Sequence, residues 1–154
     1  MAETPMPKPK IIEGITCYAP NFSFSDQDYP AAAFEQFFRL EERHFWFRAR
    51  NRIIRWAFRR YLADQERAQV LEIGCGTGFV LKGLASENRY ELTGAEAHLA
   101  GLRFAKRRLP GVEFVQLDAR SLPYASRFDA IGAFDVIEHI EEDEAVIASM
   151  HRAL

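Results

Sequence analysis

The chain has 154 residues, 48% hydrophobic and 13% aromatic, and 20 Lys and Arg against 22 Asp and Glu give it a net charge of −2. That is enough apolar material for one domain with a sizeable core, and it excludes wholesale disorder. The slightly acidic balance argues against a general nucleic-acid binder, no apolar run is long enough to cross a bilayer, and two cysteines, Cys17 and Cys75, make neither a disulfide framework nor a metal cluster.

Residues 1–28 are rich in proline and polar side chains, and the opening Met1–Lys10 lacks the apolar core of a signal peptide. An extended or flexible leader in a cytoplasmic protein is expected. From Pro30 the pattern turns helical, with Phe34, Phe37 and Phe38 on one stripe. A second helix is predicted from about Phe45 to Leu62. Its apolar face is read as Phe47, Ile54, Phe58 and Tyr61, flanked by Ile53 and Ala57, with Arg48, Arg52, Arg55 and Arg59 opposite. The arginine row is read as a solvated face with ion-pair partners. Residues 29–64 are thus expected to form a helical cap on a domain spanning 65–154.

That domain alternates strand and helix: a strand over 70–73, a helix over 79–88, a strand over 90–95, a helix over 98–109, and strands over 112–116 and 128–134. A last helix begins near Glu142 and carries Val146, Ile147, Met150 and Leu154 on one face. Such alternation implies a parallel sheet covered by helices on both faces. At the first crossover stands Glu72-Ile73-Gly74-Cys75-Gly76-Thr77-Gly78, a strand end running through a glycine turn into a helix start. Glycines let a ligand approach the backbone, and the helix start offers free N–H groups. The spacing departs from a dinucleotide fingerprint, since Phe79 holds the place of its third glycine, and no P-loop Lys-Ser/Thr follows. Cys75 is read as a small residue tolerated beside the ligand. His44, His98, His139 and His151 have no zinc spacing, so no metal is expected.

The E-x-G-x-G-x-G pattern over 72–78 resembles the first signature of the class I S-adenosylmethionine-dependent methyltransferases. Three later positions resemble that family in the same order: Glu96 ending the second strand, Asp118-Ala119 after the third, and Phe134-Asp135 with Glu138-His139 after the fourth. The resemblance implies an α/β, Rossmann-like three-layer sandwich with a parallel central sheet, of which the order 3-2-1-4 is present and strands 5–7 are missing. The unpaired edge of the fourth strand is then a surface for self-association. The resemblance also implies S-adenosylmethionine as cofactor and S-adenosylhomocysteine as product.

Carried onto this chain, the family's cofactor site takes in Glu72, Gly74, Cys75, Gly76 and Gly78 at the glycine turn. Glu96, followed by Ala97, faces the ribose hydroxyls. Asp118 and the Ala119 N–H meet the adenine, and Phe134 and Asp135 lie near the ammonium. The segment Glu41–Arg50 resembles the family's N-terminal cap, in which Trp46 covers the sulfonium and Arg48 or Arg50 pairs with the methionine carboxylate. His139, beside Glu138, is the candidate base, because imidazole titrates near neutrality. The acceptor implied is a small molecule, through oxygen first, then carbon or nitrogen, with no nucleic acid and no membrane span. Two other functions stay open: a protein that holds the cofactor without turnover, and a nicotinamide-dependent oxidoreductase, since Glu96 also suits that ribose.

Overall fold

The computed structural model describes residues 8–22 and 30–154. Its centre is a six-stranded mixed sheet in the order β1-β2-β5-β4-β3-β6. The strands are β1 (Lys10–Ile12), β2 (Ile15–Cys17), β3 (Ala68–Ile73), β4 (Tyr90–Glu96), β5 (Glu113–Gln116) and β6 (Ala130–Ala133). β3 lies between β4 and β6 and is parallel to both, with Leu71 opposite Thr93 on one side and Ile131 on the other. β5 continues the parallel set beyond β4.

The helices are α1 (Ala31–Leu40), α2 (Phe45–Tyr61), α3 (Phe79–Ala85), α4 (Leu99–Arg108) and α5 (Asp143–Ala153). Alternation along β3 decides which helix meets which face. Leu71 and Ile73 pack in one cluster with Val146 and Ala153 of α5. Ala68 and Val70 pack in another with Ile54 of α2 and with Val80 and Leu84 of α3. Glu72 shares the second face by parity, so the same two-residue period that builds the core aims this acid beneath the α2 side of the sheet. α4 joins that side through Leu102 and Ala105, which meet Leu81, Phe114 and Ile15.

Several expectations are corrected. The stretch Lys10–Cys17, read as part of a flexible leader, is an antiparallel hairpin whose second strand pairs in parallel with β5. The sheet is therefore mixed. Ile15 and Cys17 are buried, and Gln116 fixes the exit of the hairpin by donating from Nε2 to the Ala19 carbonyl at 2.8 Å and accepting from the Ala19 N–H at 3.2 Å. The rest of the leader, residues 1–7 and 23–28, lies outside the described residues.

On α2, Tyr61 and Ile53 are exposed at 79% and 66%, and the buried positions are Asn51 and Ile54. Arg55 of the arginine row is half-buried and pairs with Glu87 through Nη2 and Nε. On α5 the buried residues are Val146, Ser149 and Ala153, while Ile147 and Leu154 are half exposed.

Candidate active site

All the pieces of the site meet at the carboxyl ends of β3, β4, β5 and β6, where an open parallel sheet leaves a crevice. The glycine turn leaves β3 with Gly74, Gly76 and Gly78 all at positive φ. A Cβ on Gly74 would lie 2.2 Å from Val136 Cγ2, so only glycine lets the turn pass the exit of β6 this closely. Gly78 caps the start of α3 and lies 3.2 Å, by the same measure, from Ala105 Cβ of α4. Its place is helix packing.

Two cavities flank the turn. The larger, about 580 Å³, is lined by Gly74, Gly76, Glu96, Ala97, His98, Asp118, Ala119 and Asp135, with Phe22 and Phe34 as aromatic walls and His139 at its edge. The smaller, about 320 Å³, is lined by Glu41 at the end of α1, by Trp46 and Arg50 of α2, and by Glu72, Cys75, Thr77, Phe79 and Phe134. Both are lined by Phe34, Gly74, Gly76, Asp135 and His139, so they form one bent groove around the glycine turn.

In the larger cavity Glu96 is held by backbone donors. The Gly76 N–H donates to one carboxylate oxygen at 3.1 Å and the His98 N–H to the other at 3.0 Å. Burial raises its pKa, and these N–H groups act against that rise. Each oxygen keeps a further acceptor position for a ligand hydroxyl. Asp118 is more fully occupied: it accepts from the Arg120 N–H at 2.9 Å and holds the Arg120 guanidinium, Nη2 at 2.9 Å. Arg120 reaches on to Glu142 at 2.9 Å and covers the Phe22 ring at 5.3 Å.

In the smaller cavity Glu72 is 4% exposed, and its Oε2 has no hydrogen-bond partner. Burial pushes its pKa well above the carboxylate range, with Glu41 and Glu96 adding to the rise and Arg50 opposing it. Arg50 meets Asp135 at 2.6 Å and lies over Trp46 at 5.5 Å and Phe134 at 5.8 Å. Asp135 itself sits at φ +57°. The Cys75 thiol is pushed well above its ordinary range by burial and by the charges of Glu72 and Glu96, so it is a neutral wall and not a nucleophile.

Of the residues expected in the site, Glu72, Gly74, Cys75, Gly76, Glu96, Ala97, Asp118, Ala119, Phe134, Asp135, Trp46, Arg50 and His139 line one or both cavities. Arg48 and Glu138 are exposed and line neither.

Sequence reading missed Glu41, Thr77, Arg108 and Asn51. Arg108, with a side chain only 3% exposed, meets Glu41 at 2.7 Å, and Asn51 donates to the Phe79 carbonyl at 2.8 Å. A signal was present for two of them. Glu41 continues the 34-37-38 apolar stripe, and Asn51 falls on the 47-54-58 stripe, so each is a polar residue where the helical period calls for an apolar one.

This arrangement matches known proteins. Residues 70–154 match the family described as methyltransferase domain, which covers more than half of the chain. The chain belongs to the class I S-adenosylmethionine-dependent methyltransferases. A fatty-acid O-methyltransferase of Mycolicibacterium smegmatis is 42% identical over 73 residues, 45% of this chain and 27% of that protein. Among solved structures, CalS10, an amino pentose methyltransferase from Micromonospora echinaspora with S-adenosylmethionine bound, superposes with a TM-score of 0.63. It is 27% identical and covers 87% of this chain and 53% of that one. The [4+2]-cyclase SpnF superposes with a TM-score of 0.65 at 26% identity, over 73% of this chain and 43% of that one. The chain thus spans about half the length of these two solved structures and a quarter of the fatty-acid enzyme.

Proposed function

We propose that the groove transfers the methyl group of S-adenosylmethionine to an oxygen of a small, lipid-like acceptor. One observation carries the cofactor reading. Glu72, a buried acid with an unpartnered oxygen, and Glu96, a buried acid held by backbone N–H groups, open onto the two arms of one groove. The orphaned Glu72 oxygen calls for a cation, as an amino-acid ammonium is, and Glu96 suits a pair of ribose hydroxyls. The residues therefore fit the cofactor. Its adenosine would lie against Glu96, Ala97, Asp118 and Ala119, and its methionine end near Glu72, Gly74, Phe134, Trp46 and Arg50. When bound, S-adenosylmethionine supplies a methyl group on a positively charged sulfur.

The chain's own work is alignment and exclusion of water, which account for most of the barrier lowering in a displacement of this kind. His139 lines both arms and serves as the base that takes the acceptor's proton. The aromatic lining by Phe22, Phe34, Phe37, Phe47, Phe79 and Phe134 suits an apolar acceptor, in keeping with the substrate in the fatty-acid relative's name. In the finer fold reading, β3, β4, β5 and β6 correspond to the family's strands 1 to 4. Among the described residues β6 pairs only with β3, and its free edge is read as a self-association surface, seen as a sedimentation coefficient that rises with concentration.

A second reading rests on SpnF, whose name records a cycloaddition on this same architecture: the groove then holds the cofactor without transferring its methyl group. Calorimetric titration with S-adenosylhomocysteine, with NADH as matched control, tests the site. Binding of the former alone is expected, and absence of binding refutes both readings of the groove. Transfer of a labelled methyl group to fatty acids then separates the two.

A further inference from the structure

Three elements that are distant in sequence meet at one buried ion pair in the wall of the smaller cavity. Glu41 is the residue that caps the carboxyl end of α1, Arg108 is the last residue of α4, and Thr77 lies inside the glycine turn. Arg108 Nη1 reaches Glu41 Oε2 at 2.7 Å, the Thr77 carbonyl at 2.9 Å and Thr77 Oγ1 at 2.7 Å. The Thr77 hydroxyl in turn donates to Glu41 Oε2 at 2.5 Å, closing a triangle. Arg108 Nη2 donates to the Phe38 carbonyl at 3.2 Å, and the guanidinium lies between the rings of Phe38, at 4.4 Å, and Phe79, at 5.4 Å.

This is a poor device for stability alone. Removing two charges from water costs several kcal/mol per ion on the order of what their attraction returns. Here Arg108 Nε is also buried without a partner, a further loss. What the triangle does provide is geometry. It fixes Thr77 from both its carbonyl and its hydroxyl, and Thr77 stands between Gly76 and Gly78, two of the left-handed positions that shape the turn. The next link reaches the ligand site directly, because the Gly76 N–H is one of the two backbone donors on Glu96. Displacing the turn displaces the carboxylate that faces the ribose.

We propose that Glu41 and Arg108 are positioning residues: through Thr77 they clamp the glycine turn to the helical cap, so that cofactor affinity depends on where the cap sits. This rests on the adenosyl-cofactor reading of the groove. It ties the cap to the cofactor site through Arg108, which lines neither cavity, and through Glu41, which also stands in the wall of the smaller one.

The test compares the full chain with Glu41→Gln and with the double variant Glu41→Met/Arg108→Met. Each is measured by thermal melting, by titration with S-adenosylhomocysteine, and by hydrogen exchange of the amides of residues 74–78. Replacing both charges by apolar chains of similar size is expected to leave the melting temperature at or above that of the parent. Affinity is nonetheless expected to fall by at least about tenfold, the coupling typical of residues within one network. The turn amides should exchange faster while those of β3 and β4 do not change. Glu41→Gln keeps the size and the acceptor oxygen but leaves Arg108 as an unpaired buried charge, so it should melt below the parent and show a milder loss of affinity, because the bonds to Thr77 and Arg108 remain available. Parental affinity in either variant, or unchanged protection of the turn in the double variant, overturns the clamp alone. A parent chain that fails to bind S-adenosylhomocysteine overturns the cofactor reading and the clamp together.

Discussion

Glu72 and Glu96 stand near the carboxyl ends of adjacent strands, both buried, both raised in pKa by that burial, and they differ in what satisfies them. Glu96 has a backbone N–H on each oxygen, from Gly76 and His98, and is fixed in place before any ligand arrives, with acceptor capacity to spare. Glu72 has an oxygen with no partner, and Arg50, the cation whose charge acts on it, is engaged with Asp135. One carboxylate is preorganised, the other is an acceptor held in waiting. A buried acid left unpaired costs stability, so its presence in a fold points to what is to be bound.

The largest effect expected from this contrast is at Glu96. Glu96→Ala removes the acceptors for two ligand hydroxyls and leaves the Gly76 and His98 N–H groups unpaired. Two charge-assisted hydrogen bonds at about 1.5 kcal/mol each predict a loss of S-adenosylhomocysteine affinity on the order of 100-fold. Calorimetry checks this, and a loss under about fivefold would break the assignment.

Glu72→Gln sharpens the contrast because its two consequences have opposite signs. A carboxylate whose folded pKa is raised contributes stability while protonated, and that contribution is lost as pH rises from the ordinary 4.5 through the raised folded value. Neutral glutamine has no such loss. The variant should melt higher than the parent at neutral pH, by about 3 °C for a gain on the order of 1 kcal/mol, and the gap should close below about pH 4.5. Its ligand affinity should fall about tenfold, because the ammonium loses its charged partner. Melting curves across pH alongside titrations at pH 7 check both signs.

Asp118 is more fully satisfied than either acid. Its oxygens are already taken by the Arg120 N–H and guanidinium, so an adenine amino group finds little free acceptor capacity there. Asp118→Ala is therefore expected to weaken S-adenosylhomocysteine by only about fivefold, roughly 1 kcal/mol, well short of Glu96→Ala. Titration of the two variants side by side tests the ranking.

The parts legible in the sequence are those whose signal is local. The strand-glycine-helix junction at 70–85 follows from period and spacing within a few residues, and the acids at 96 and 118 are picked out by the family resemblance at the strand ends that the pattern marks. The hairpin at 10–17 was not legible, because strands of three residues carry no readable alternation and Pro7 and Pro9 beside them read as a loop. Its stability comes from pairing with β5, about a hundred residues downstream, and from the Gln116 side chain that holds Ala19. The triangle of Glu41, Thr77 and Arg108 was hidden for the same reason. An acid and a base 67 positions apart become partners only when α1 packs on α4.

The smallest expected effects fall on two residues that the family resemblance drew into the site, and they test whether the groove's boundary is where the cavities place it. Arg48 and Arg50 are two positions apart on α2, and residues so spaced on a helix do not share a face. Arg50 turns inward to the rings of Trp46 and Phe134, whereas Arg48 is exposed and lines neither cavity. Glu138 stands next to His139 in the same short turn, yet only His139 lines the groove. Surface substitutions away from a site typically stay within about 0.5 kcal/mol, so Arg48→Ala and Glu138→Gln should each leave S-adenosylhomocysteine affinity within about twofold of the parent. A tenfold loss in Arg48→Ala would put Arg48 in the ligand site and break the boundary that the cavities draw.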